Sequence, residues 1–203
     1  MSKENKNFQI RAFYDEEKQK RYISGYAVVF NQLSKKILEN GKTFNEKIFD
    51  TAINDNTRMD NVLMLLNHKK SNLLARTKSG TLQWEKDENG IYITFEVPDT
   101  TLGNDVYEQV RLGNYSEMSF GFYLDPKNSD DAEFIKDQGM LIRHVKNIKM
   151  ITEISIVTDG AYPQTNIQLG ERSLDEIEAE LDKEQVNYNI KNKQKELEIL
   201  KIK

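Results

Sequence analysis

The chain has no cysteine and only two histidines, His68 and His144, among its 203 residues. Lack of cysteine removes disulfides, thiolate nucleophiles and Cys-based zinc sites together, and it suits a reducing compartment. With two histidines, no HExxH and no His–carboxylate cluster at ligand spacing, a zinc enzyme is not expected. No Walker-type or GxGxxG glycine loop occurs, so nucleotide chemistry has no support either, and neither metal nor cofactor is expected. No apolar run approaches the roughly 18 residues that suggest a membrane span. Met1 to Asn7 is polar and shows no signal peptide. Basic charge is not in excess: 29 Lys and Arg against 33 Asp and Glu give a net charge of −4. That balance carries no footprint for nucleic acid or for an anionic membrane. The expectation is a soluble, cytoplasmic protein that binds neither.

What is present is strand text. Tyr115 to Leu124 alternates by twos, with Met118, Phe120 and Phe122 on one face and Ser119, Gly121 and Tyr123 on the other. Further strands are expected over residues 8–14, 21–30 and 62–66, with Gly25 marking a bend or bulge. Residues 80–86 and 91–97 flank Asp87-Glu88-Asn89-Gly90, a hairpin signal. Residues 140–148 and 150–158 complete the set, after a polar loop over 125–139. Helical spacing of Ile48, Phe49, Ala52 and Ile53 predicts a short helix over 44–54, and a second helix is expected over 102–112, ending at Gly113. The expected class is mostly β with flanking short helices (α+β), as a barrel-like antiparallel sheet. From Glu171 onward about half the residues are charged, without glycine or proline, and Ser173-Leu174-Asp175-Glu176 has capping-box form. The organisation read from this is a disordered start over 1–7, a domain over 8–167 and a charged helical tail over 168–203.

A mid-strand serine is ordinarily just a small residue where space is short. Ser119 gains interest because His68 ends the buried run Val62 to Leu66, at a place able to hold an imidazole. A serine hydroxyl becomes nucleophilic when an imidazole takes its proton and a third group fixes that imidazole. His144, among Arg143, Lys146 and Lys149, reads as a solvated strand face. Glu117-Met118-Ser119-Phe120-Gly121 misses GxSxG by one residue and lacks the strand-to-helix turn of a nucleophile elbow. The residues by themselves reach a serine hydrolase on a β framework.

Several stretches together resemble the prohead maturation serine proteases of tailed bacteriophages, whose fold is similar to the herpesvirus assemblins. They are residues 25–30, 62–68 ending in Asn-His, 76–82, 97–100 with Gly103, 118–122 and 153–157 leading to Ala161-Tyr162-Pro163. They run in the family's order over about residues 8–167. The resemblance implies His68 as general base, Ser119 as nucleophile, Glu153 as third member, and oxyanion donors in the backbone of Gly160, Ala161 and Tyr162. It further implies cleavage of major capsid protein and scaffold segments, self-cleavage and self-association, inside the procapsid in the host bacterial cytoplasm. The alternative of another class is a non-catalytic scaffold or capsid-assembly factor on the same fold. The chain departs from the family's usual residues at Lys69, Glu117 and Gly160. For the acid, Asp99 is expected to cap the following helix and Asp105 to favour its dipole. Glu153 lacks such a structural role: mid-strand, a carboxylate is costly to bury unless a partner such as the His68 imidazole meets it.

Overall fold

A computed structural model describes residues 10–39, 42–125 and 127–158. The expected start over 1–7, the tail over 168–203 and the Gly160 to Tyr162 segment therefore lie outside the described residues. The described part opens with β1 (Arg11–Asp15), β2 (Lys20–Val29), β3 (Ile37–Glu39) and β4 (Lys42–Ile48). Next come β5 (Leu63–Leu66), β6 (Lys69–Arg76), β7 (Leu82–Lys86) and β8 (Gly90–Glu96). Then follow α1 (Thr101–Arg111), β9 (Glu117–Tyr123), β10 (Ala132–Asp137), β11 (Met140–Val145) and β12 (Met150–Val157). They form three four-stranded sheets, ordered β1-β2-β8-β7, β10-β11-β4-β3 and β6-β5-β12-β9.

The mostly-β expectation matches this architecture, and its details change. No closed barrel is found; the sheets stay separate in their pairing. Nor are they wholly antiparallel, because β4 pairs with β11 and β5 with β12 in parallel. Among the described residues there is one α-helix, with three short 3-10 turns. The helix expected over 44–54 is instead β4 followed by a 3-10 turn at Asp50–Ala52. Phe44, Glu46 and Ile48 are all buried, which is the period of a strand. Glu46 sits in an apolar-type slot because Arg143 of β11 meets it there, both side chains fully buried, with the guanidinium over the Phe44 ring. That also corrects the solvated reading of the Arg143 neighbourhood. The polar loop expected over 125–139 contains β10, which returns to β11 through Gln138 and Gly139, both at positive φ.

Gly25 marks no bulge of its own; the register shift of β2 lies between Tyr26 and Val28. Its missing side chain instead leaves room for Ile10, whose Cα lies 3.0 Å from where a Cβ would stand. The Asp87–Gly90 hairpin and the α1 span agree with the sequence, and Val106, Tyr107 and Val110 face the core. The cap of α1 is Thr100, whose hydroxyl accepts from the Gly103 N–H at 3.0 Å; Asp99 does not have that role. One apolar core joins the sheets, and β9 and β12 give it Phe120, Phe122, Ile151, Ile154 and Ile156. The opposite face of those two strands carries the candidate site.

Candidate active site

Strand β12 lies between β5 and β9 in its sheet, so it decides what meets what. Against β9 it runs antiparallel, with Ser155 opposite Ser119, Ile154 opposite Phe120 and Glu153 opposite Gly121. Residues directly opposite in an antiparallel pair share a face, their Cβ atoms about 4.5–5.5 Å apart. Strict alternation would then continue with Thr152 opposite Phe122, but the register shifts there and Phe122 faces Ile151. Thr152 is the extra residue of a β-bulge, and its hydroxyl donates to the Gly121 carbonyl at 3.0 Å. The bulge lets Ile151 join Ile154 and Ile156 in the core while Glu153 and Ser155 share the face of Ser119.

On the other side, β5 runs parallel to β12 and hands over to β6 by the two-residue turn Asn67-His68. Both turn residues have positive φ, 52° and 57°. That is the tight primed hairpin turn, in which glycine usually takes the second place. A histidine there holds a left-handed backbone that side-chain-bearing residues seldom adopt, a feature that gathers at functional sites. Two bonds fix the turn to β12: Asn67 N–H donates to the Ile156 carbonyl at 3.0 Å, and His68 N–H to Ser155 Oγ at 3.1 Å.

The His68 ring then reaches Glu153, with Nδ1 2.7 Å from Oε1. At that distance from a carboxylate oxygen, Nδ1 carries the hydrogen and Nε2 of the neutral ring is left as the acceptor. Glu153 Oε2 accepts from Ser155 Oγ at 2.6 Å. Both side chains are mostly shielded, 21% exposed for His68 and 15% for Glu153, so the contact is screened less than a surface pair. Gly121 makes room for the carboxylate: a Cβ there would stand 2.9 Å from Glu153 Oε1. His68 Nε2 and Ser119 Oγ are both buried and have no hydrogen-bond partner. A buried hydroxyl left unpaired costs about 1–3 kcal/mol, and such orphans call for a reason. A groove of ≈ 440 Å³ opens beside His68 and Glu153, lined also by Gly121, Phe122 and Thr152, with Arg58 and Lys70 at its charged margin. Lys35 Nζ lies 3.1 Å from Glu117, so the carboxylate two residues before Ser119 is met by a cation.

The model of the caudovirus prohead serine proteases matches residues 6–180 of this chain. The chain belongs to that family. It is thus a serine peptidase, of a family whose work is bacteriophage capsid maturation. No curated protein and no solved structure matches this prohead protease.

Of the carboxylates weighed from the sequence of the protease, Glu153 lies beside His68 and the other two do not. Asp99 is 95% exposed, 3.7 Å from Arg21, and Asp105 is exposed on α1. His144 belongs to another sheet, opposite Glu133 on β10, with its ring edge-on to Phe49. It is largely covered there, and burial pushes its pKa down, against the nearby Glu133. Ser155, Thr152 and Gly121 join the site without having been expected there from the sequence. Ser155 was legible there, since a residue two beyond Glu153 shares its strand face. Thr152 was not, because a bulge leaves no mark in the alternation of a single strand. Among the described residues no cluster suited to a metal ion occurs, and no helix is long and apolar enough to cross a membrane.

Proposed function

We propose that Ser119 is the nucleophile of this protease, His68 its general base and Glu153 the acid that orients the base. Ser119 Oγ attacks the scissile carbonyl while His68 Nε2 takes its proton, and the imidazolium then delivers that proton to the leaving amine. Glu153 Oε1 holds the Nδ1 hydrogen throughout, which keeps Nε2 free to accept and stabilises the ring once charged. The observation that carries the reading is the 2.7 Å contact between His68 and Glu153 on the face that also holds the buried, unpartnered Ser119 Oγ. Serine and histidine flank Ser155 from either side, and their hydrogen bond forms as substrate enters, since such bonds are often long before substrate binds. The oxyanion donors belong to the backbone of Gly160, Ala161 and Tyr162 in this reading, just past β12. The substrates are segments of the major capsid protein and of the scaffold, cut inside the procapsid, and the protease cuts itself as well.

Co-expression with the capsid protein, followed by intact mass measurement, tests this. Ser119→Ala removes one hydroxyl from the interior and leaves the fold, so capsid and self-cleavage should both stop, a loss of many orders of magnitude. Processing at the parent rate by a folded Ser119→Ala protein would rule the assignment out.

A further inference from the structure

We propose that Ser155 is a positioning residue of this protease, fixing the Glu153 carboxylate and the His68 backbone together so that Nε2 is aimed at Ser119. The inference rests on the Ser119–His68–Glu153 reading and adds a residue to it. Ser155 is fully buried, and its hydroxyl is used in both senses. It donates to Glu153 Oε2 at 2.6 Å and accepts from the His68 N–H at 3.1 Å. Those two groups are what set the imidazole: one anchors the ring through Nδ1, the other is the main chain from which the ring hangs. The His68 main chain is also held at φ 57°, where a non-glycine residue relaxes unless it is tied.

Location adds to the case. Ser155 stands opposite Ser119 in the β12–β9 register, between the strand of the nucleophile and the turn of the base. A hydroxyl is the smallest group that bonds to carboxylate and amide at once without filling the space between Ser119 and His68. Were this position chosen for size alone, alanine would serve as well. Alanine would instead leave a carboxylate oxygen and an amide N–H unpaired in a shielded site, and the Glu153 carboxylate would be free to rotate away from Nδ1.

The test uses the full chain, kinetics on the capsid protein and 15N spectra of the imidazoles, where His144 serves as an internal control. Ser155→Ala should lower kcat by about 10- to 100-fold, the scale of a small misplacement at a reacting centre. KM should stay near the parent value, because the groove is untouched. The 15N signals of the neutral His68 ring should move from the Nδ1–H form toward a mixture of tautomers, with those of His144 unchanged. Ser155→Thr restores the hydroxyl and should recover most of both readouts. Parent kcat and parent spectrum in Ser155→Ala would overturn the proposal, as would a Ser155→Thr protein no better than Ser155→Ala. If the alanine protein fails to fold by circular dichroism, Ser155→Cys carries the same test, since a thiol leaves no cavity and is only a weak donor. A Ser119→Ala protein that still cleaves overturns the underlying reading; an inactive one beside a fully active Ser155→Ala overturns only this inference.

Discussion

Gly121→Ala should separate activity from stability in this protease. The added Cβ would stand 2.9 Å from Glu153 Oε1, 3.1 Å from Thr152 Oγ1 and 3.2 Å from Glu153 Cγ, where ordinary contact begins at 3.4 Å. Oε1 must therefore retreat by about 0.5 Å, the difference of those two distances. It has little freedom to do so sideways, because Ser155 holds the other oxygen at 2.6 Å. The retreat falls on the 2.7 Å contact to His68 Nδ1. Catalytic groups need placement within about 0.5 Å, and an error of about 1 Å costs on the order of 10²-fold. We expect turnover to fall by about 10- to 100-fold. Stability should hardly move. Gly121 has no positive φ, so alanine suits its backbone, and the smaller entropy of the unfolded chain contributes about 0.4–1 kcal/mol against the local crowding. The measurement is capsid-protein cleavage followed by mass, beside a thermal melt by circular dichroism. Parent turnover in a Gly121→Ala protein would refute the argument that the placement of Glu153 limits the rate.

Glu153→Gln should keep the fold and lower turnover by about 10- to 10⁴-fold, the upper end being the loss of an orienting acid in other triads. Asp99→Asn should leave turnover at the parent value; the reverse pattern in the same cleavage assay would assign the acid wrongly. Glu46→Gln leaves the Arg143 guanidinium buried without its carboxylate and should destabilise by about 3–5 kcal/mol, read from denaturant unfolding. His144 has a lowered folded-state pKa, so between the unfolded value of 6.5 and that lower value the unfolded chain binds more protons. Its contribution is therefore intact above pH 6.5 and lost as pH falls below it, and His144→Phe should flatten the stability–pH curve in that window.

Individual elements show how far the order of residues reaches. The alternation around Ser119, the Asn89-Gly90 hairpin and α1 were legible because each is a local matter: side-chain period, turn preference and a terminating glycine. The helical spacing of Ile48, Phe49, Ala52 and Ile53 points to a helix over 44–54, and β4 escapes that pattern because Glu46 occupies a core slot. The carboxylate masks the period of two, and the Arg143 that makes it tolerable lies 97 positions away. β10 looks like a loop in the sequence, since Phe134 is its one buried side chain and most of the rest are polar or half exposed.

The sequence by itself determined which groups exist for chemistry: no thiol, two imidazoles, one serine in an aromatic strand, and a mid-strand carboxylate without an evident structural purpose. Tertiary structure decided which of them meet. Glu153 meets His68, 85 positions earlier, because β12 pairs beside β5 and a left-handed turn swings His68 back over it, while a bulge at Thr152 returns Ile151 to the core. Both devices are adjustments of one residue whose effect depends on the neighbouring strand, and the pairing of strands distant in sequence is not written in the periodicity of either one.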